Sequence, residues 1–108
     1  MRKRKYIYVA GPMTGMPKKN FPLFHKATKQ LRKKGYAVVN PAELENIKPI
    51  CVTWEECLRR DLRYILAKCY AVATLPGWKK SRGANLEVYV AKQLDMPVRT
   101  VDYWLEKA

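Results

Sequence analysis

Glu87 is the residue whose setting could do chemistry. It closes the stretch Leu75-Pro76-Gly77-Trp78-Lys79-Lys80-Ser81-Arg82-Gly83-Ala84-Asn85-Leu86-Glu87, which follows an apolar run over residues 70–75. That order predicts a strand, a Pro-Gly turn and a helix capped by Ser81. Free backbone N–H groups at such a helix start can hold a ligand, above all an anion. Glu87 then falls about two turns into the helix, flanked by Leu86, Val88 and Val90. A carboxylate in that company stands either at a helix edge or beside a pocket. The plain alternative is a solvated surface glutamate. The elements that must position Glu87 decide between them.

Residues 6–10 are β-branched and aromatic and read as a short buried strand, ended by Gly11-Pro12. The loop after it carries Gly11, Pro12, Gly15 and Pro17, but neither a Walker nor a Rossmann fingerprint. Phe21, Phe24, Ala27 and Leu31 then fall at helical spacing, with Asn20 as N-cap and Gly35 as terminator. Residues 36–39 form a second strand, stopped by Asn40-Pro41. Residues 42–52 read as irregular, broken by Pro49. Thr53 and Glu56 make a capping box for a helix that runs to about Lys68. Its apolar face is Trp54, Leu58, Leu62, Ile65 and Leu66. The helix after Ser81 carries Leu86, Val90 and Leu94 on one stripe, and residues 97–101 form a last strand before a terminal helical turn or two.

Strands that alternate with helices predict a three-layer α/β/α fold. The sheet is Rossmann-like or flavodoxin-like, parallel, of four strands or five, in the order 2-1-3-4. Ligands of such sheets bind outside the carboxyl ends of the strands, where the chain direction switches. The loops 11–16 and 75–81 meet there, which gathers Tyr8, Gly11, Ser81 and Glu87 around one crevice. Trp78, in the second loop, could stack on a base; the alternative is a plug at the core edge or in a dimer interface. Trp54 and Trp104 are assigned to packing, and His25 to a Lys-rich surface.

The 108 residues suffice for one domain, 1–108, with one core. No apolar run reaches the roughly 18–20 residues of a membrane span. The basic start, residues 1–5, lacks the apolar run of a signal peptide. Cys51, Cys57 and Cys69 leave one thiol over in any disulfide scheme, match no zinc spacing, and find only His25 to help. The expectation is reduced thiols in a cytoplasm, with no metal and no cofactor. A net charge of +13 favours an anionic partner: phosphate, nucleotide or nucleic acid. Solvated helix faces account for most of the 22 basic residues, and no nucleic-acid fold signature accompanies them.

Three motifs, in sequence order, resemble nucleoside 2-deoxyribosyltransferases and the related 2-deoxynucleoside 5-phosphate N-hydrolases. They are Ile7-Tyr8-Val9-Ala10-Gly11-Pro12-Met13-Thr14-Gly15, Arg60-Asp61-Leu62, and Ser81-Arg82-Gly83-Ala84-Asn85-Leu86-Glu87. The Leu-Pro-Gly-Trp stretch before the third also resembles small, often phage-encoded relatives of those enzymes. The resemblance implies that Glu87 is a nucleophile that attacks the anomeric carbon of a deoxyribose through an oxocarbenium-like transition state. It implies that Tyr8 orients Glu87, that Asp61 assists the base or contacts the sugar, and that Gly11 lies beneath the sugar. The plain alternative for Asp61 is a surface partner of Arg60 or Arg63. Pro12, Met13, Thr14, Trp78, Ser81 and Gly83 would contact the substrate.

This chain departs from that pattern in two places. The arginine of the first loop is absent, leaving Lys18, Lys19 or Arg82 to supply the charge. Ser81, which aligns with a phosphate-contacting serine of the N-hydrolases, stands where the transferases carry an acid. The family also implies homo-oligomers, for which Tyr103-Trp104-Leu105 offers apolar area.

Two other functions compete with cleavage or transfer of an N-glycosidic bond. One is a binding protein that holds a nucleotide or nucleotide-like signal in the same pocket without turning it over. The other is a basic nucleic-acid-associated module, whose binding would weaken steeply with salt. A pure binder has no need of an unneutralised buried carboxylate.

Overall fold

The structure is a computed structural model that describes residues 4–108, so the first three residues of the basic start lie outside the described residues. Four strands form one sheet: β1 (Tyr6–Ala10), β2 (Ala37–Val39), β3 (Cys69–Thr74) and β4 (Val98–Thr100). All neighbours are parallel, and the order is β2-β1-β3-β4, as expected. Ile7 lies opposite Val38 on one side and Ala71 on the other. Leu75 has left β3, but its N–H still donates to the Ala10 carbonyl at 2.8 Å. The ends of β1 and β3 therefore stay locked together where their loops begin.

Residues Ile7, Tyr8, Val9 and Ala10 have no exposed surface, because helices cover both faces of a central parallel strand. Alternation along the strand sorts them. Ile7, Val9, Ala71 and Ala73 face α1 (Phe21–Lys33) and α4 (Val101–Lys107), packing with Phe24, Leu31, Val101 and Trp104. Tyr8, Ala10 and Val72 face α2 (Trp54–Lys68) and α3 (Arg82–Gln93), packing with Ile65, Ala84, Val88 and Ala91. The interior thus has two halves, one on each face of the sheet, where one core was expected. Tyr8 belongs to the half that also holds Glu87.

The buried face of α3 corrects the expected stripe. Ala84, Glu87, Val88 and Ala91 are buried, while Leu86 and Leu94 are exposed. Small residues win the inner face because they let α3 approach the sheet closely, and that choice turns Glu87 inward. Ser81 caps α3 as expected, accepting from the Ala84 N–H at 3.2 Å. Thr53 caps α2 by accepting from the Glu56 N–H at 3.1 Å. Glu56 answers by accepting from the Thr53 hydroxyl at 3.2 Å, so only half of the capping box forms.

Asn20 does not cap α1. Its φ of 61° is left-handed, whereas an N-cap needs extended backbone. Its side chain instead donates to the Pro12 carbonyl at 3.0 Å, which ties the turn Pro17–Asn20 to the first loop. The stretch expected to be irregular is so over residues 47–52, but before them stands a 3-10 helix, Pro41–Asn46, started by the Asn40 side chain accepting from the Ala42 N–H. The aromatic C-terminal piece is only partly free for contacts: Tyr103 is exposed and Leu105 half-buried. Trp104 is buried, with its indole N–H donating to the Val72 carbonyl at 3.1 Å.

The reduced-thiol expectation holds for Cys69 and fails for the other two. Cys51 and Cys57 form a disulfide. An odd count leaves one thiol over but does not forbid one pair. The segment before α2 folds back on the first turns of that helix, which brings the two Cα atoms to 5.1 Å, within bridging range. Burial pushes the Cys69 thiol up to about 12, so it stays protonated and inert. Among the described residues no group of His, Cys, Asp and Glu could hold a metal, and no helix is long and apolar enough to cross a membrane.

Candidate functional site

A narrow cleft of about 90 Å³ opens at the carboxyl ends of β1 and β3, on the α2–α3 side. Tyr8 and Glu87 form its base. The Tyr8 hydroxyl donates to Glu87 Oε2 at 2.7 Å, and both residues are buried. Asp61 projects from α2 into the same cleft and is 8% exposed. Its Oδ1 accepts from Arg60 Nε at 3.1 Å, with Nη2 at 3.0 Å. Arg60 also donates to the Leu44 carbonyl and to Cys51 Sγ, so the 3-10 helix and the disulfide both steady it. Gly11 is required at the rim: a Cβ there would stand 2.8 Å from the Cβ of Leu75.

The narrow cleft runs outward into a mouth of about 760 Å³. Thr14, Trp54, Ser81 and Gly83 line both; Pro12, Lys80 and Arg82 line the mouth alone. The Arg82 guanidinium stacks over the Trp54 ring, 4.1 Å from its centroid.

Burial sets the electrostatics. It pushes the Glu87 carboxyl well above the usual carboxylate range, and the charge of Asp61 pushes the same way; the hydrogen bond from Tyr8 opposes them. Burial raises Asp61 as well, while Arg60 pulls it back down. The Tyr8 hydroxyl is pushed well above its usual value, first by burial and then by Glu87 and Asp61. It is therefore a permanent donor. The two carboxylates cannot both ionise cheaply in so dry a place, so the pair retains a proton to higher pH than isolated carboxylates would.

Residues 5–100 match the family described as a domain of unknown function, DUF4406. The chain belongs to that family. Neither the curated proteins nor the solved structures gave a match. Within this DUF4406 domain, the cleft collects Tyr8, Gly11, Met13, Thr14, Asp61, Ser81, Gly83 and Glu87 from three separate stretches of chain. Pro12 stands just outside, in the mouth.

Trp78 is not brought to the cleft. It packs against the interior on the α2–α3 side and forms the wall of a different cavity, across the loop. Asp61 meets both of its readings at once, since it pairs with Arg60 and faces the cleft. Of the cations named for the missing arginine, Arg82 lies at the mouth, while Lys19 pairs with Glu45 at 3.5 Å. Trp54 was assigned to packing and instead lines both cleft and mouth. The signal for it was present: Trp54, Leu58 and Asp61 recur at intervals of four and three, one face of one helix.

Proposed function

We propose that this domain cleaves or transfers the N-glycosidic bond of a deoxynucleoside or deoxynucleoside monophosphate, with a covalent glycosyl-enzyme on Glu87. The observation that carries this reading is the buried hydrogen bond from Tyr8 to Glu87 beside a second carboxylate, at the floor of an open cleft. A carboxylate held so far from water has a cost in folding that a surface role would not justify. The resemblance to nucleoside 2-deoxyribosyltransferases supports the assignment of roles.

The geometry supports the following chemistry. Ionised Glu87 attacks the anomeric carbon, the carbon–nitrogen bond breaks, and its electron pair leaves with the base. In the reactive form the one proton that the carboxylate pair retains sits on Asp61, while the hydrogen bond from Tyr8 favours the ionised form of Glu87, and Asp61 gives that proton to the departing nitrogen. Water, or an acceptor base, then attacks the same carbon and loses its proton to Asp61, while the carbon–oxygen bond to Glu87 breaks and its electron pair returns to the carboxylate, completing hydrolysis or transfer. Tyr8 keeps Glu87 aimed throughout. The narrow cleft is far below the roughly 300–1,000 Å³ of a usual ligand pocket. It suits the sugar alone, with base and phosphate in the mouth, near Trp54, Ser81 and Arg82.

The test is incubation with a panel of deoxynucleosides and their monophosphates, with free base read by chromatography. Glu87→Ala should abolish base release while ligand binding persists, because a nucleophile acts mainly in the transition state. Asp61→Asn should slow release without abolishing it. A wild-type protein that binds one of these compounds and releases no base would replace the enzyme with a binding protein.

A further inference from the structure

A second cleft, of about 550 Å³, lies across the loop 75–81 from the first. Its floor is apolar, made of Leu23 and Ala27 from α1, Leu75, and Val101 from α4. Trp78, half-buried, is its aromatic wall. Lys26, Lys79 and Lys80 stand on the rim against one acid, Asp102. None of those three lysines is in an ion pair among the described residues. Lys79 Nζ sits 5.9 Å from the centroid of the Trp78 ring, which puts a cation beside an aromatic face. The cleft thus has a usual ligand-pocket size, an apolar floor and a rim of net positive charge. An inert surface gives no reason to place a tryptophan and three unpaired lysines around one hollow.

We propose that this second cleft binds a phosphorylated aromatic molecule of nucleoside monophosphate class. The ring lies against Trp78, and Lys26 and Lys79 hold the phosphate. The site shares Pro76, Gly77 and Lys80 with the mouth of the first cleft but none of the residues that surround Glu87. It does not depend on the catalytic reading.

The test uses the full chain carrying Trp54→Phe, so that fluorescence quenching reports on Trp78 above the buried Trp104. AMP, GMP, CMP and UMP are titrated beside the matching nucleosides and inorganic phosphate. The expected result is saturable quenching by at least one monophosphate, about tenfold tighter than by its nucleoside or by phosphate. Lys26→Glu with Lys79→Glu changes only exposed positions, so the fold survives; it should weaken that binding about tenfold or more. Arg82→Glu, which reverses the cation at the mouth of the first cleft and lies outside the second, should leave it unchanged. The proposal is overturned by binding that the paired lysine variant does not weaken, by binding that Arg82→Glu removes, or by no saturable binding of any monophosphate. It is overturned equally if only single-stranded oligonucleotides bind, with the steep salt dependence of a backbone contact. Base release is measured separately, and its absence would leave this result standing.

Discussion

Glu87 is held against its own solvation. Its pKa in the fold lies well above that of the unfolded chain, where a glutamate titrates near about 4.3. The stability that goes with its protonated form is complete below that value and is lost as pH rises through the folded pKa. Glu87→Gln keeps the shape and cannot ionise. It should therefore raise the melting midpoint by a few degrees in alkaline buffer, with the gain shrinking steadily as the buffer is acidified. Melting curves across a pH series check this, and a loss of stability at alkaline pH would show that Glu87 is not a buried, costly charge. Tyr8 and Glu87 were legible because a parallel sheet must bring the ends of its first and third strands together. Trp54 was not, because a tryptophan on an apolar helix stripe reads as core until the helix is seen to end at a cleft. Of the two readings for Trp78 the structure takes the plug at the core edge, and the residues left both open for a related reason: a loop at the sheet's end has two sides, and residue types do not say which one a side chain takes.

The elements follow from pattern, and the misses came where size mattered more than hydrophobicity. Leucines drew the expected stripe of α3, but Ala84, Val88 and Ala91 are the residues that meet the sheet. Substitution should separate the two readings. Leu94→Ala removes a side chain that is 54% exposed and should change stability by about 0.5 kcal/mol at most. Ala91→Leu forces bulk into a site with no exposed surface and should cost about 1–3 kcal/mol. Urea denaturation of both variants gives the comparison, and a larger loss from Leu94→Ala would restore the leucine stripe. The caps at Thr53 and Ser81 were readable because each side chain satisfies a nearby N–H. Asn20 was not, since a left-handed backbone leaves no mark in residue type alone. The Cys51–Cys57 bridge was hidden for another reason: it depends on a loop turning back, and a count of cysteines carries no direction.

At the scale of the molecule, strand order, parallel pairing and the two helical layers were all legible, because alternating strands and helices leave few right-handed solutions. Partners were less so. With Trp104 drawn into the interior and Leu105 half-buried against it, Tyr103 remains as the outward part of the terminal aromatic piece. A cleft this open still suits a neighbour that helps close it, so sedimentation at micromolar concentration should give a dimer or larger; a clean monomer would leave each chain to close its own mouth. The sheet itself limits how such copies can meet. Its edges are β2 and β4, strands of three residues each, and β4 turns Arg99 and Thr100 to solvent. An arriving strand would find only a few free N–H and C=O groups before the ladder ran out into helix or turn. Parallel sheets form slowly and expose their borders while they do. Borders this short give runaway strand addition little to grow from, which protects the chain from amyloid-like polymerisation during the interval when it is most vulnerable.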